Sequence, residues 1–362
     1  MVWCSEPEPA AAHFLWQTRR PSDKLWLFVT SSATLGSGRS VVWSLAIFVA
    51  TAACGGTLDA GHDVPRGLLP VDSRNPIVLC NDGPYDNWQG EYAMLFASTG
   101  GPSLAGIVVS DSLPWPNLDD NMAGWRRMVE AARESGLRNI PDPVASTGPV
   151  LVRPSDGSID STTPNYSEGA HIILKISKQS SLPFRPLVAV AGGRMTDLAD
   201  AYLLDHTVPE RIVVVAALGS ATAGGGEMGS PNGDLDPWAD FIVAQKFRYI
   251  QVSAFYEQAK DFPDSVLEQL PANAFASWIQ AKQPNVWQVS IASDQVGVLA
   301  VAVPSFVSAV SRAAGQGVNS EDIPILSSDP TGTVWLVTEI DRASGATRLW
   351  DVLLATETYD VQ

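Results

Sequence analysis

Histidine, cysteine and positive charge are scarce in this sequence. Its 362 residues include 4 histidines and 3 cysteines, and 23 lysines and arginines stand against 39 aspartates and glutamates, a net charge of −16. Three cysteines are too few for a disulfide framework, and no cysteines and histidines have the spacing of a zinc site. The negative charge argues against nucleic acids and anionic membrane surfaces as partners. An acidic surface that only aids solubility is the alternative explanation.

Long hydrophobic runs are scarce as well, and one near the N-terminus is informative. The apolar stretch 41–53 lies after Arg39, and its last three residues with the next one read Thr51-Ala-Ala-Cys54. It is too short to span a bilayer but has the length of the apolar region of a secretory signal. Its end is similar to a bacterial lipoprotein box, with plain signal cleavage as one alternative and a buried or membrane-anchoring helix as another.

The domain organisation follows from this N-terminal pattern. We expect residues 1–53 to be an N-terminal extension and signal peptide, 54–70 a linker, and 71–362 one domain. The protein would be secreted or periplasmic, and a lipid on Cys54 would be its one attachment to a membrane.

The pattern over residues 71–362 predicts the fold class. Apolar strand-like runs alternate with helical patterns, which is typical of an α/β domain with an open, mostly parallel central sheet flanked by helices. At the C-terminal end, runs 333–340 and 347–354 around a turn at 341–345 predict a β-hairpin. The glycine-rich stretch 221–230 lacks the Lys-Ser/Thr ending of a phosphate loop, so phosphate binding there is not expected.

An acidic turn follows the first predicted strand of the domain. Residues 76–80 are apolar, and Asp82, Asp86 and Asn87 come directly after them, before a predicted helix at 88–97. Open α/β sheets place ligands at the carboxyl ends of strands, and hard oxygen donors suit calcium. The same residue types also form plain turns. Far downstream, Asp294 opens another apolar helical run, where a simple helix cap is the alternative role.

These segments, in this order, resemble the inosine/uridine-preferring nucleoside hydrolases. In that family an early Asp-x-Asp-x-Gly-x-Asp-Asp cluster and a late His-Asp-Pro motif hold a calcium ion, which binds the ribose 2′- and 3′-hydroxyls. Residues 189–199 resemble the family's strand and Gly-Pro-Leu-Thr-Asn-Leu-Ala turn, and residues 232–237 resemble its Phe-Asn-x-x-x-Asp-Pro segment.

The resemblance implies a calcium-dependent hydrolase of the N-glycosidic bond of ribonucleosides or a related ribosyl compound. It implies that Asp82 is also the catalytic base. Four groups would hold the calcium ion: the side chains of Asp82, Asn87 and Asp294 and the backbone carbonyl of Ala191. Three side chains would bind the small-molecule substrate: those of Asp86, Asn232 and Asp294. Whether the chain forms a homo-oligomer is left open.

Several positions depart from the family pattern. Cys80 and Asn87 each replace an aspartate, Ser293 replaces the histidine that protonates the leaving base, and Ser230 replaces a glutamate that holds the ribose 5′-hydroxyl. Serine is a poor proton donor at neutral pH. A catalytically degenerate protein that only binds sugars or nucleosides is therefore the main alternative, and a hydrolase of another polyol or glycoside is a third.

Overall fold

The computed structural model describes residues 67–217, 221–222, 232–252, 262–284, 294–318 and 324–359. The predicted signal segment and Cys54 lie outside these residues. Within them, no helix is long and apolar enough to cross a membrane.

One sheet contains the ten strands of the described residues. In chain order they are β1 (Ile77–Asn81), β2 (Leu104–Val109), β3 (Pro143–Ala145), β4 (Leu187–Ala191), β5 (Ile212–Ala217), β6 (Ala221–Thr222), β7 (Arg248–Val252), β8 (Val307–Val318), β9 (Pro324–Ser328) and β10 (Val334–Ile340).

The order across the sheet is β3-β2-β1-β4-β5-β7-β10-β8-β9-β6. The seven strands from β3 to β10 pair in parallel, whereas β8 runs antiparallel to both β10 and β9. Every residue of β1, β4 and β5 is buried. Continuous apolar strands of this kind occur where helices cover both faces of a parallel sheet.

Nine α-helices accompany the strands in the described residues. They are α1 (Gln89–Ser98), α2 (Leu118–Glu134), α3 (Glu168–Ser180), α4 (Thr196–Leu204), α5 (Pro237–Lys246), α6 (Asp264–Leu267), α7 (Ala274–Lys282), α8 (Gln295–Ala302) and α9 (Arg342–Leu354).

The helices form two layers with separate apolar cores. Side chains of α1, α2, α7, α8 and α9 pack on one face of the sheet. Those of α3, α4 and α5 pack on the other face. The predicted α/β class with an open, mostly parallel sheet flanked by helices is thereby confirmed.

The predicted C-terminal β-hairpin is wrong in its second half. Residues 334–340 form β10, but residues 347–354 belong to α9. The stretch 341–345, predicted to be a turn, starts this helix: the Asp341 side chain accepts a hydrogen bond from the Ser344 amide at 3.1 Å. Leu349, Val352 and Leu353 are the buried apolar residues, and their spacing is that of a helix face rather than of a strand.

This cap gives a test of the C-terminal structure. We expect Asp341→Ala to lower the free energy of unfolding by about 1 kcal/mol, because the helix loses the acceptor for one of its free amides. Asp341→Asn keeps an acceptor oxygen and should stay close to wild type. Urea unfolding of the three proteins is the measurement, and equal losses in both variants would contradict the cap.

Candidate functional site

The acidic turn lies at the point where the sheet reverses its strand order. From β1 the chain continues to β2 and β3 on one side, and then crosses to β4 on the other side of β1. Open α/β sheets bind ligands at such a switch point, beyond the carboxyl ends of the strands. Asn81 ends β1 and Ala191 ends β4. The residues that follow them therefore border this crevice.

The turn after β1 is fixed by hydrogen bonds within the turn and by one from α2. The Gly83 amide donates to the Asp82 carboxylate at 2.7 Å, and the Trp125 indole N–H donates to the Asp82 carbonyl at 2.9 Å. At the far end, the Gln89 amide donates to the Asn87 side-chain oxygen at 3.0 Å. The turn is thus closed at both ends, with the Asp82 carboxylate buried.

Asp294 lies at the start of α8 but does not act as a side-chain cap for that helix. Its carboxylate accepts hydrogen bonds from Asn232 Nδ2 at 2.9 Å and from Asn81 Nδ2 at 3.3 Å. The predicted residues Asn232 and Asp294 therefore come together at the end of β1. The helix-cap alternative for Asp294 is not supported.

Asp86 stands nearer the surface, with its carboxylate held from two sides. Its Oδ1 accepts a hydrogen bond from Asn87 Nδ2 at 3.0 Å and its Oδ2 accepts one from Trp115 Nε1 at 3.1 Å. The Trp115 ring in turn lies 5.6 Å from the Tyr85 ring between centroids. Asp86 is thereby oriented beside a half-buried aromatic pair.

Burial and neighbouring charge raise the pKa values of Asp82 and Asp294. Burial is the main reason why the pKa of Asp82 rises to about 7, and the charge of Asp86 adds to it, against hydrogen bonds from Ser112 and Gly83. Burial also raises the pKa of Asp294 well above its ordinary value, with further contributions from Asp86 and Asp82. The charged forms of Asp82 and Asp294 are therefore disfavoured, and the charge of Asp86 acts on both.

The chemistry of the donors fits a hard cation. Asp82, Asp86 and Asp294 concentrate negative charge, and within the described chain the buried Asn81 Oδ1 has no hydrogen-bond partner. Oxygen donors of these kinds are the ligands that calcium prefers. As the side chains stand, no group of three or more His, Cys, Asp or Glu residues in the described chain is arranged to hold a metal ion.

Ala191, the predicted carbonyl ligand, ends β4 in register with Cys80 and Ala216. The next residue, Gly192, is the one that approaches the cluster. A Cβ added there would lie 2.5 Å from Gln89 Nε2 and 2.6 Å from Asn81 Nδ2. The close approach of its backbone requires glycine at this position. The metal-binding role of Ala191 stays a prediction.

Sequence reasoning missed several polar residues of the cluster, above all Asn81 and Gln89. Asn81 Nδ2 donates to Gln89 Oε1 at 2.8 Å as well as to Asp294. Strand alternation contained the signal for Asn81, because it shares the face of Leu79 and Ile77. Two positions that depart from the family pattern, Ser230 and Ser293, lie outside the described residues.

Comparison with known proteins identifies the fold. No protein-family model and no curated protein matches the chain. Among solved structures, it is similar to an inosine-guanosine nucleoside hydrolase, with a TM-score of 0.57 and 17% identity over 76% of this chain and 98% of that one. A purine-preferring ribonucleoside hydrolase from Gardnerella vaginalis matches with a TM-score of 0.51 and 17% identity, over 77% of this chain and 99% of that one.

A third match is a nucleoside hydrolase-related hypothetical protein from Saccharophagus degradans, associated with carbohydrate metabolism. Its TM-score is 0.50 at 16% identity, over 79% of this chain and 72% of that one. Together these structures show that the chain has the nucleoside hydrolase fold. The predicted resemblance is confirmed at this level.

Because the pKa of Asp82 is raised in the folded protein, ionising Asp82 should lower the free energy of unfolding as the pH rises. Asp82→Asn removes this effect. In a chelator, the wild-type protein should lose stability as the pH rises from about 4, where unfolded Asp titrates, to about 7, where folded Asp82 does. Asp82→Asn has no carboxyl group at this position, so its stability should not fall for this reason over the same pH range. We expect it to be more stable by roughly 1–3 kcal/mol above about pH 7 and by less near about pH 5.

Urea unfolding at both pH values measures this difference. Asp119→Asn is the control, because Asp119 is exposed on α2, and it should show no such pH dependence. An advantage of Asp82→Asn that is the same at both pH values would contradict a raised pKa.

Proposed function

We propose that the chain is a metal-dependent hydrolase of the N-glycosidic bond of ribonucleosides or of a related ribosyl compound. The observation that carries this proposal is the hydrogen bond from Asn232 to Asp294 at the switch point, where the charges of Asp86 and Asp82 also act on Asp294. These residues come from three distant parts of the sequence. The nucleoside hydrolase fold supports the same chemistry.

Asp82 is the residue best suited to take a proton from an attacking water. A general base works best when its pKa lies near the working pH; burial raises the pKa of Asp82 to about 7 in the metal-free protein, and a bound cation would lower it. The hydrogen bonds to the turn fix where its carboxylate can point. Its position next to the Asp86 and Asp294 charges favours bound species that carry positive charge, such as a ribosyl oxocarbenium-like transition state.

Asp86, Asn232 and Asp294 supply the polar contacts that a sugar needs. Carboxylates accept hydrogen bonds from hydroxyl groups, and an asparagine can donate and accept. Asp86 is oriented by Trp115 and Asn87, and Asn232 is held by the Ala217 carbonyl at 2.8 Å. Such fixed groups can bind adjacent hydroxyls without first being ordered.

Calcium is the cofactor we propose. Asp82, Asn87 and Asp294, with the Ala191 carbonyl, would hold it. When bound, the ion would supply Lewis acidity and a grip on neighbouring sugar hydroxyls. Its charge would also relieve the repulsion among the three carboxylates.

A second candidate function is binding of a sugar or nucleoside without catalysis. One observation favours it: the Asn87 side-chain oxygen, which replaces a family carboxylate, accepts a hydrogen bond from the Gln89 amide. An amide in place of a carboxylate also lowers the charge available for calcium, and affinity depends on that charge.

A nucleoside panel tests the proposed activity. With calcium present, we expect the domain to release free ribose from at least one nucleoside. Asp82→Ala should lower the turnover by about 100-fold or more, because the base is lost. Asp119→Ala, which removes an exposed carboxylate, is the control and should leave turnover unchanged.

The outcomes separate the two candidates. Absence of turnover with every nucleoside, together with calcium-dependent binding of ribose in a calorimeter, would favour the binding protein. If neither turnover nor calcium binding occurred, the proposed calcium site would be contradicted, whether the protein is a hydrolase or a binding protein.

We also propose that the protein is exported and carries a lipid on Cys54. The support is the sequence of residues 41–54. In a bacterial host we expect wild-type protein in the membrane fraction and Cys54→Ala outside it, because an acyl chain contributes about 0.8 kcal/mol per buried CH₂ to membrane binding. Cys80→Ala is the matched control and should fractionate like the wild type. Equal fractionation of all three proteins would contradict the anchor.

A further inference from the structure

A lysine is buried beneath the acidic turn. Lys282, the last residue of α7, is only 5% exposed. Burying an ammonium group costs several kcal/mol unless it is paired and hydrogen-bonded. Its environment therefore has to supply close acceptors, and all the acceptors and the ring described next belong to the start of α1 or to the turn before it.

Three groups surround the Lys282 ammonium. Its Nζ donates to the carboxylate of Glu91 at 2.7 Å and to the backbone carbonyl of Asn87. It also lies 4.6 Å from the centroid of the Trp88 ring, in a cation–π contact. Glu91 is fully buried and accepts a second hydrogen bond from Trp278 Nε1 at 2.7 Å.

The Asn87 carbonyl links this ammonium to the site. The helical hydrogen bonds begin one residue later, where the Tyr92 amide donates to the Trp88 carbonyl at 3.0 Å. The Asn87 carbonyl thus points away from the helix and towards Lys282. The side chain of the same residue donates to Asp86 at 3.0 Å. One residue therefore has its backbone held by the lysine while its side chain orients an acidic group of the site.

The charge of Lys282 also reaches the cluster. Burial lowers the pKa of Lys282, while Glu91 and then Asp86 and Asp294 raise it. The ammonium is therefore within electrostatic range of two of the three clustered carboxylates, and it offsets part of their repulsion. A salt bridge that served only to join α7 to α1 would need the carboxylate of Glu91 and no contact with Asn87.

We propose that Lys282 is a positioning residue of the site: by binding the Asn87 carbonyl, it holds the turn that carries Asp86 and Asn87. The effect on ligand binding rests on the proposed function, but the effect on the turn itself does not. Removing Lys282 while also removing its buried partner should leave a folded protein with a loosened turn.

We call the hydrogen bond from Lys282 to the Asn87 carbonyl the tether. Two variants separate its effect from that of the Lys282–Glu91 ion pair. Glu91→Met combined with Lys282→Met removes both charges, so that no buried charge is left unpaired. Glu91→Gln, the matched control, removes the negative charge but leaves a side-chain oxygen at that position and the Asn87 carbonyl as acceptors for the Lys282 ammonium. Thermal unfolding shows whether each variant is folded.

Hydrogen exchange measures the turn directly. The Gly83 and Trp88 amides report on it, because they donate to Asp82 and to Gln295 respectively. We expect both to exchange about 10-fold faster or more in the double variant and at nearly the wild-type rate in Glu91→Gln. Calorimetry with calcium and D-ribose should show affinity about 10-fold weaker or worse in the double variant only.

Each outcome decides something different. Equal exchange of the turn in the two variants would overturn the proposal, as would faster exchange with unchanged ribose and calcium affinity. If the wild-type protein bound neither calcium nor ribose, but the turn loosened only in the double variant, the tether would stand and the proposed function would fail.

Discussion

Repulsion among the carboxylates of Asp82 and Asp294, which are buried, and Asp86, which is partly buried, is the constraint around which the site is built. Burial is the main cause of the raised pKa values of Asp82 and Asp294; the charge of Asp86 raises both further, and that of Asp82 also raises the pKa of Asp294. Left alone, such a cluster would destabilise the fold. Amide donors from Asn81 and Asn232 and the ammonium of Lys282 offset part of this cost. Retaining the cluster despite the cost is a sign of function rather than of stability.

Sheet topology brings the cluster together. Asn81 and Asp294 are 213 positions apart in the sequence, yet their side chains are hydrogen-bonded. Parallel pairing of β1 with β4 sets Cys80 opposite Ala191, and Gly192 then lets the backbone approach Asn81 closely. Asp294, at the start of α8, contacts the cluster through Asn81 and Asn232. The residues of the cluster are far apart in the sequence, and the order of the strands in the sheet brings them together.

The fold class and part of the site could be predicted from sequence. Alternating apolar runs indicated the parallel sheet, and oxygen-rich turns indicated Asp82 and Asp294. Two features could not be predicted in this way. Taken alone, the short run 347–354 fits a strand as well as a helix, whereas the cap at Asp341 and the helical spacing of Leu349, Val352 and Leu353 belong to α9. In the sequence Lys282 has the pattern of an exposed basic residue at the end of a helix. Its buried position could not be predicted, because its partners Glu91 and Asn87 lie 191 and 195 positions away.

The central claim is that the three carboxylates form one cation-dependent sugar site, and calcium titration with D-ribose tests it most directly. Wild-type protein should bind about one calcium ion per chain, and Asp294→Asn should bind it about 10-fold more weakly or worse, because one negative charge of the ligand set is lost. The Asp294→Asn change keeps the size of the side chain. Absence of calcium binding in the wild type, or equal affinity in the variant, would contradict the claim.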